Sequence, residues 1–466
     1  MPNQTIQNRT YDEIKLGDTA SLTRLLTAED IQLFAVVSGD VNPAHVDPAY
    51  AATDSFHKII AHGMWGSGLI SAVLGTELPG PGTIYLGQSL RFSHPVSPGD
   101  TLTATVTVTA KQDKHHFLTL DCRCTNQDGV VVISGEAQVM APTEKVVRPR
   151  MPLPDVRLAK HERFRTLLAK AQEGAQKIRA AVAHPCDVSS LTGAIEAAQA
   201  GLLEPILIGP PAKIQAAAQQ AGLDIAPYRL VPAPHSHAAA EQAVALVTSG
   251  EAHLLMKGSL HTDELMSAVL SPTAKLRTER RISHVYLMDV PSYPRPLLVT
   301  DAAINIEPSL EDKADIIRNA VGLAHVLGIE QPRVAILAAV ETVNPKMRST
   351  LEAAALCKMA DRGQITGALL DGPLAFDNAI SEIAAKTKGI VSEVAGRADI
   401  LLVPNLEAGN MIAKQLTFLA DADAAGIVLG ARVPIVLTSR ADSVRTRLAS
   451  VAVAVLMARA NPVQEG

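Results

Sequence analysis

The chain has 466 residues, a formal net charge of −5 and an aromatic content of 3%. A chain of this length exceeds one ordinary hydrophobic core, so two or three domains are expected. The weak negative charge and the few aromatic residues argue against a nucleic-acid partner, which would need a basic surface and usually stacking aromatics.

The sequence also carries no signal for secretion or membrane insertion. Its first residues, MPNQTIQNRTYDEIKLGD, lack an apolar signal core, and no uninterrupted apolar run approaches the ~18–20 residues of a membrane span. None of the cysteines forms a C-x-x-C pair, and they are too few for a disulfide framework. We therefore expect a cytoplasmic protein without a membrane partner. The cysteines are Cys122, Cys124, Cys186 and Cys357.

The first chemical motif is SGDVNPAH over residues 38–45, which holds the carboxylate of Asp40 and the imidazole of His45 five residues apart. Pro43 prevents one regular helix, so a turn is predicted to project both side chains from a fixed loop. Such a pair suits acid–base chemistry. In isolation this spacing more often belongs to a turn residue and a surface histidine, so the surrounding residues decide its interpretation.

Those surroundings indicate a family. SGDVNPAHVDPAYA, IIAHGMWGSGLIS and IYLGQSLRFSHPVSPGD resemble the MaoC-like (R)-specific enoyl-CoA hydratases of the hot-dog fold, over residues 10–140. The resemblance implies that Asp40 and His45 hold and activate water. It also matches Asn42, the thioester-binding Gly63 and a serine near the active site, Ser71, for which helix packing is an equally good explanation. Ala44 departs from the family, which usually has a larger aliphatic residue there.

The periodicity of the first part predicts an α+β domain. Residues 101–109 read TLTATVTVT, which places the apolar residues on one face of a half-buried strand. Similar strands follow near 116–125 and 130–140, after an apolar helix that begins near Gly63. Four prolines in APTEKVVRPRMPLPD then indicate a linker. The predicted domains are residues 1–142 and 157–466, with a linker over 143–156.

Beyond the linker, short apolar runs alternate with longer Ala-rich helical stretches, which predicts an α/β domain with a mainly parallel sheet. Ligands of such sheets bind at the carboxyl ends of strands. The predicted strands are Pro205–Ile208, Leu254–Met256, Val285–Met288, Leu297–Thr300, Val334–Leu337, Gly367–Leu370, Ile400–Val403, Ile427–Leu429 and Ile435–Leu437.

Five ordered segments in this part resemble the phosphate acetyl/butyryltransferase family over residues 160–460. They are LLMKGSLHTDELMSAVL, LVTDAAINIEPSLEDKADII, LLDGPLAFDNAIS, DILLVPNLEAGNMIAKQL and AGIVLGARVPIVLTSRADS. The family transfers an acyl group reversibly between CoA and phosphate. The resemblance implies that Ser439 and Arg440 are catalytic, and it assigns substrate contacts to Gly258, His261, Asp301, Asn378 and Asn410. DGPLAFDNAIS and LTSRADS look closer to the phosphobutyryltransferases, which leaves the acyl length open.

The family's presumed thiol base, an Asp a few residues after the Ser-Arg pair, is missing, because Arg445 and Thr446 occupy that place. Asp442 is a possible substitute, but it could equally be the N-cap of the next helix, which we favour. A guanidinium such as that of Arg440 suits phosphate because it offers bidentate donors.

Both resemblances require a CoA thioester, so we expect a bifunctional acyl-CoA enzyme. Its partners would be acyl-CoA or enoyl-CoA and phosphate, with a homo-oligomer, dimer or larger, expected from both families. No histidine shows a ligand pattern such as H-E-x-x-H, so no metal and no cofactor beyond these substrates is expected. Two alternatives stay open: one half only binds or senses acyl-CoA, or one half mainly drives oligomerisation.

Overall fold

The computed structural model describes residues 5–154, 156, 158, 162–174, 177–437 and 442–461. The chain divides into two compact units, Met1–Ala159 and Lys160–Gly466. Each unit has its own buried apolar core. No helix in the described ranges combines the length and the apolar character needed to cross a bilayer.

The first unit is a five-stranded antiparallel sheet in the order β2-β4-β5-β6-β3, with four helices. The five strands of this sheet are β2 Thr19–Leu25, β3 Ile84–Phe92, β4 Thr101–Gln112, β5 Phe117–Thr125 and β6 Val131–Met140. Two further strands of the unit, β1 Thr5–Gln7 and β7 Val147–Pro149, lie outside it. Its helices are α1 Ala28–Ser38, α2 Pro43–Val46, α3 Pro48–Ala51 and α4 Gly63–Thr76. The expected α+β architecture is confirmed.

The alternation in β4 explains how the sheet and α4 form one core. Leu102, Ala104, Val106 and Val108 are each at most 2% exposed, whereas the intervening threonines are half-buried. The apolar face of α4 packs on this layer through Trp65, Ile70 and Val73. The period-2 pattern therefore selected the buried face correctly.

A two-stranded ribbon lies outside the main sheet of the first unit. β1 pairs antiparallel with β7, and Thr5 lies opposite Pro149. β7 falls within residues 143–156, the segment predicted as a linker. The prolines therefore leave room for one short strand, which belongs to the first unit.

The second unit has an eleven-stranded sheet in the order β10-β9-β8-β11-β18-β17-β12-β13-β16-β14-β15. The strands are β8 Arg179–Ala183, β9 Glu204–Gly209, β10 Arg229–Pro232, β11 Leu254–Lys257, β12 Ser283–Asp289, β13 Leu297–Thr300, β14 Arg333–Leu337, β15 Leu369–Leu374, β16 Ile400–Leu402, β17 Asp423–Leu429 and β18 Ile435–Val436. The predicted mainly parallel α/β class is confirmed. β8 and β10 were not predicted.

Helices complete the second unit, and their apolar residues form three buried clusters with the sheet. They are α5 Glu162–Gln172, α6 Val188–Gln199, α7 Pro211–Ala221, α8 Ser236–Thr248, α9 Thr262–Leu270, α10 Leu310–Leu327, α11 Arg348–Asp361, α12 Phe376–Ile380, α13 Glu382–Thr387, α14 Leu406–Leu419 and α15 Val444–Ala460.

The large sheet consists of two halves whose strands run in opposite directions. β11 is parallel to β18, but β17 is antiparallel to both β18 and β12, and β12 is antiparallel to β13. β13, β16, β14 and β15 are then mutually parallel. The carboxyl ends of β11 and β18 therefore lie at one edge of the sheet, here called the β11 edge. Those of β13 to β16 lie at the other edge, here called the β13 edge.

Candidate active sites

The Asp-His motif of the first unit forms a rigid turn between two helices. α1 ends at Ser38 and α2 begins at Pro43, as the proline predicts. The Asn42 side chain caps α2 by accepting a 3.1 Å hydrogen bond from the Ala44 amide, and Asp40 Oδ1 accepts one of 3.2 Å from the Asn42 amide. Asn42 therefore shapes the turn that presents the exposed carboxylate of Asp40.

A backbone contact orients the ring of His45. Its Nδ1 lies 2.8 Å from the carbonyl oxygen of Ile60. A carbonyl only accepts, so Nδ1 carries the proton in this hydrogen bond and Nε2 keeps its lone pair. A neutral imidazole in this tautomer can take a proton at Nε2.

His62 belongs to the same group, although no motif predicted a role for it. Its Nε2 lies 3.0 Å from the Asp40 carbonyl oxygen, and its ring is tilted 38° against that of His45 at a centroid distance of 4.0 Å. The residue is 3% exposed, and its Nδ1 is buried without a partner among the described residues. His62 thus contacts both motif residues, through the Asp40 carbonyl and the His45 ring. Its place directly before the predicted thioester glycine was the only available signal.

Helix α4 points its N-terminus at the same place. Its N-cap, His62, makes no side-chain capping bond, and although the Trp65 amide bonds to the His62 carbonyl, the Gly63 and Met64 amides at the helix start can serve an acceptor. A Cβ at Gly63 would come within 3.0 Å of the Phe92 ring. A larger residue at position 63 would therefore have to displace the Phe92 ring by a few tenths of an ångström.

A pocket of about 330 Å³ adjoins the two histidines and the start of α4. Its lining includes His45, His62, Gly63, Trp65, Phe92 and Ile133. Ser71 does not line it: it is exposed on α4, eight residues or about 12 Å beyond Gly63. The structure therefore brings together Asp40, Asn42, His45 and Gly63 from the predicted site, adds His62, and leaves Ser71 apart.

In the second unit, the β11 edge holds Gly258. A Cβ at Gly258 would lie 2.4 Å from the Ala183 carbonyl oxygen, so only glycine permits this approach of the loops after β8 and β11. Ser259 fastens the same loops, because its Oγ donates to the His184 carbonyl oxygen at 2.8 Å and accepts from the Cys186 amide at 3.3 Å. His261 follows as the exposed N-cap of α9.

His184 approaches the same hydroxyl with its ring, at 3.1 Å from Nδ1 to Ser259 Oγ. Burial, and secondly the positive charge of Lys213, lower the pKa of His184 below its ordinary value. The ring is consequently neutral at physiological pH. The sequence analysis missed His184 because β8, the strand that it directly follows, was not predicted.

The predicted catalytic residues Ser439 and Arg440 lie outside the described residues. The next described residue is Asp442, which is half-buried and lies between β18 and α15. The N-cap of α15 is Ser443, whose Oγ accepts a 3.1 Å hydrogen bond from the Thr446 amide. The interpretation of Asp442 as the N-cap is therefore wrong.

The remaining predicted residues lie at the β13 edge. Asp301 is 2% exposed, and its carboxylate accepts hydrogen bonds from the Ala303, Ile304 and Asn305 amides and from Asn305 Nδ2. Asn410 Nδ2 lies 3.3 Å from the Ala302 carbonyl oxygen in the same loop.

Asn378 is fully buried, with Nδ2 3.4 Å from Glu341. Asp301, Asn378 and Asn410 therefore do not share an edge with Gly258 and His261. This separation follows from the opposite strand directions of the two halves of the sheet, and a substrate-binding role for these residues stays a prediction. Asp301 and Asn410 also fix the loop after β13.

The two units, one an antiparallel sheet around a helix and the other a large mainly parallel sheet, match two family models. Residues 9–121 match the MaoC like domain, and residues 235–455 match phosphate acetyl/butaryl transferase. A phosphate acetyltransferase of Rhizobium meliloti is 62% identical over 300 residues, which are 64% of this chain and 95% of that protein.

Two other similar proteins represent the two halves. A phosphate butyryltransferase of Clostridium acetobutylicum is 44% identical over 63% of this chain and 98% of its own length. The unliganded R-hydratase PhaJ1 from Pseudomonas aeruginosa is 47% identical over 34% of this chain and 100% of that chain, with a TM-score of 0.33. The two family models show that the chain combines a MaoC-like domain with a phosphate acetyl/butyryltransferase domain. It belongs to the phosphate acetyl/butyryltransferase family.

Proposed function

We propose that the chain is a bifunctional acyl-CoA enzyme, which hydrates short-chain enoyl-CoA with (R) specificity and transfers an acyl group reversibly between CoA and phosphate. The observation that carries the hydratase half is the geometry of His45. Its Nδ1 is bound to the Ile60 carbonyl, which leaves Nε2 as a proton acceptor, and a ring nitrogen of His45 lies within 4.8 Å of an Asp40 carboxylate oxygen. The transferase half rests on membership of the family, whose resemblance spans most of the second unit.

The hydration step uses the pair and the helix start together. His45 and Asp40 hold a water and accept one of its protons as its oxygen attacks the β-carbon. The pair then delivers a proton to the α-carbon, so it ends unchanged. The enolate-like charge that develops on the thioester oxygen is stabilised by the Gly63 amide at the positive end of α4. The product is a (R)-3-hydroxyacyl-CoA.

The transfer step takes place at the β11 edge. The start of α9 lies three residues after Gly258 at this edge, and its N-cap, His261, makes no side-chain capping bond. Ser439 and Arg440 follow β18, whose carboxyl end lies at the same edge. Arg440 binds the phosphate, and Ser439 faces the transferred acyl group. Acetyl and butyryl groups are both candidate acyl groups, since the similar proteins include an acetyltransferase and a butyryltransferase.

We also propose that the protein is cytoplasmic and forms a homo-oligomer, a dimer or larger. Edge strand β3 exposes Ile84, Leu86 and Phe92, and an exposed apolar edge favours pairing with another chain. Light scattering of the purified protein measures the assembly directly. A monomer at all concentrations would remove this part of the proposal.

The test of the function uses the purified full chain with crotonyl-CoA, and separately with acetyl-CoA or butyryl-CoA plus phosphate. Loss of the enoyl absorbance reports hydration, and thiol release reports transfer. Asp40→Asn and His45→Gln should lower hydration about 10²–10⁴-fold. They should leave transfer unchanged, so each activity controls the other.

The outcomes separate the alternatives. Hydration without transfer, or transfer without hydration, leaves one half as a binding or sensing domain. A wild-type hydration rate in Asp40→Asn or His45→Gln would exclude those side chains from the mechanism.

A further inference from the structure

The proton-transfer group of the first unit also has the composition of a metal site. Asp40, His45 and His62 each place one ligand atom within 4.8 Å of the others, in the part of the chain that the structure describes. Two imidazoles and one carboxylate form a donor set that transition metals use. Each member is contributed by a different element: the turn after α1, helix α2 and the start of α4.

The outer contacts of the two histidines resemble those of metal ligands. A ligating histidine usually donates its other ring nitrogen to a carbonyl or carboxylate, which fixes its orientation. His45 makes such a contact with Ile60, and His62 with the carbonyl of Asp40. The second nitrogen of His62 is buried without a partner among the described residues. Each ring is therefore oriented by the backbone and retains a further nitrogen.

The ligand distances indicate which ion would fit. Zn²⁺ binds nitrogen and carboxylate oxygen at about 2.0–2.2 Å, which places two ligand atoms about 3.4 Å apart around a tetrahedral ion, so atoms 4.8 Å apart must approach each other by roughly 1.4 Å. The Asp40 carboxylate can move, because it is exposed on a turn. Mg²⁺ and Ca²⁺ require mostly oxygen ligands, and this group supplies a single carboxylate.

We propose that Asp40, His45 and His62 bind a divalent transition ion of the Zn²⁺ type, and that this ion reversibly inhibits the first unit. The ion takes the lone pair that His45 needs for the proton of water, so a bound ion and hydration exclude each other. The adjoining pocket of about 330 Å³ leaves room for solvent to complete the coordination. Only the inhibition depends on the proposed hydratase activity, whereas ion binding is a separate property.

The experiment titrates the metal-free full chain with Zn²⁺ by calorimetry and with Co²⁺ by visible absorption. We expect one site per chain that is lost in Asp40→Asn and weakened at least 10-fold in His62→Ala. Asp40→Asn alters an exposed side chain, so its result does not depend on refolding of the core. Crotonyl-CoA hydration should fall with the same midpoint as binding, while phosphate-dependent CoA release continues.

His94→Ala is the matched control. His94 lines the same pocket and bonds Nδ1 to the Val131 carbonyl at 3.1 Å, but it is outside the three-residue group. It should bind Zn²⁺ as the wild type does. Failure to bind Zn²⁺, or equal binding by wild type, Asp40→Asn and His62→Ala, would overturn the proposal. Binding by the three residues without any hydration in the metal-free protein would instead refute the proposed function and leave the ion site standing.

Discussion

The guanidinium of Arg447 donates a 2.8 Å hydrogen bond to the backbone carbonyl of Asp442. Its other terminal nitrogen lies 3.2 Å from Glu196 on α6, and Arg447 is 9% exposed. The bond holds the backbone at Asp442, which follows Arg440 by two residues in the sequence. We therefore predict that Arg447 acts as a positioning residue for phosphate-dependent CoA release.

Replacing Arg447 by Met should lower the kcat for phosphate-dependent CoA release, and Arg447→Lys should restore only part of it. The loss of a buried, charged hydrogen bond should also cost about 1–3 kcal/mol of stability. Arg459→Met is the control, because Arg459 binds the Ala171 carbonyl at 2.7 Å from the other end of α15. Equal effects of both variants on kcat per folded enzyme would reduce Arg447 to a structural residue.

Arg440 gives a prediction about phosphate itself. Arg440→Ala should raise the phosphate KM and lower kcat, because a charge-assisted hydrogen bond is worth about 1.5–3 kcal/mol. Arg440→Lys should rescue little, since lysine cannot offer two parallel donors. Thiol release measured against phosphate concentration separates KM from kcat. An unchanged phosphate KM in Arg440→Ala would remove this residue from the anion site.

Asp442 needs its own test now that Ser443 is the N-cap. We predict at most a moderate loss of kcat for Asp442→Asn and a mild one for Thr446→Val, with thiolate formation relying on CoA's own ionisation and nearby positive charge. The measurement is kcat against pH, with circular dichroism to verify folding. A loss above about 10³-fold for Asp442→Asn would identify Asp442 as the thiol base.

His284 predicts a pH dependence of stability. It is 2% exposed on β12, and burial lowers its pKa well below the ordinary value, although the charge of Asp301 opposes this effect. Below about pH 6.5 the histidine becomes protonated in the unfolded chain but stays neutral in the folded protein. The free energy of unfolding therefore falls as the pH falls. Denaturant midpoints at pH 7.5, 6.5 and 5.5 should decline less in His284→Gln than in the wild type. Parallel declines would show that other groups dominate.

The sequence predicted the buried face of β4 and the existence of most strands because periodicity and apolar runs are local properties. The sequence analysis did not predict the directions of the strands. The short connections 290–296, between β12 and β13, and 430–434, between β17 and β18, do indicate the relative directions of these two pairs. Parallel neighbours need a crossover of a dozen or more residues, so β12–β13 and β17–β18 had to be antiparallel. Separating Asp301 from Gly258 also required the pairings of β12 with β17 and of β11 with β18, which join strands far apart in the chain and cannot be read from connection lengths.

Other parts of the site were beyond local reasoning. His62 acquires its position through a contact with the Asp40 carbonyl, 22 residues earlier in the chain. The Asp301 carboxylate is occupied by its own loop, which no motif indicates. Both facts follow from tertiary hydrogen bonds, whereas Asp40 and His45 were recognisable because their turn is encoded by neighbouring residues.

The ribbon of β1 and β7 has a consequence for engineering. Paired strands lie about 4.8 Å apart, so the pairing of Thr5 with Pro149 brings the first and last strands of the first unit side by side. A module whose ends are adjacent can be inserted into a surface loop of a host protein, or circularly permuted, without stretching its backbone. A segment that extends through Pro149 would keep the pairing of β1 with β7, whereas a segment that ends at residue 142 would lose it.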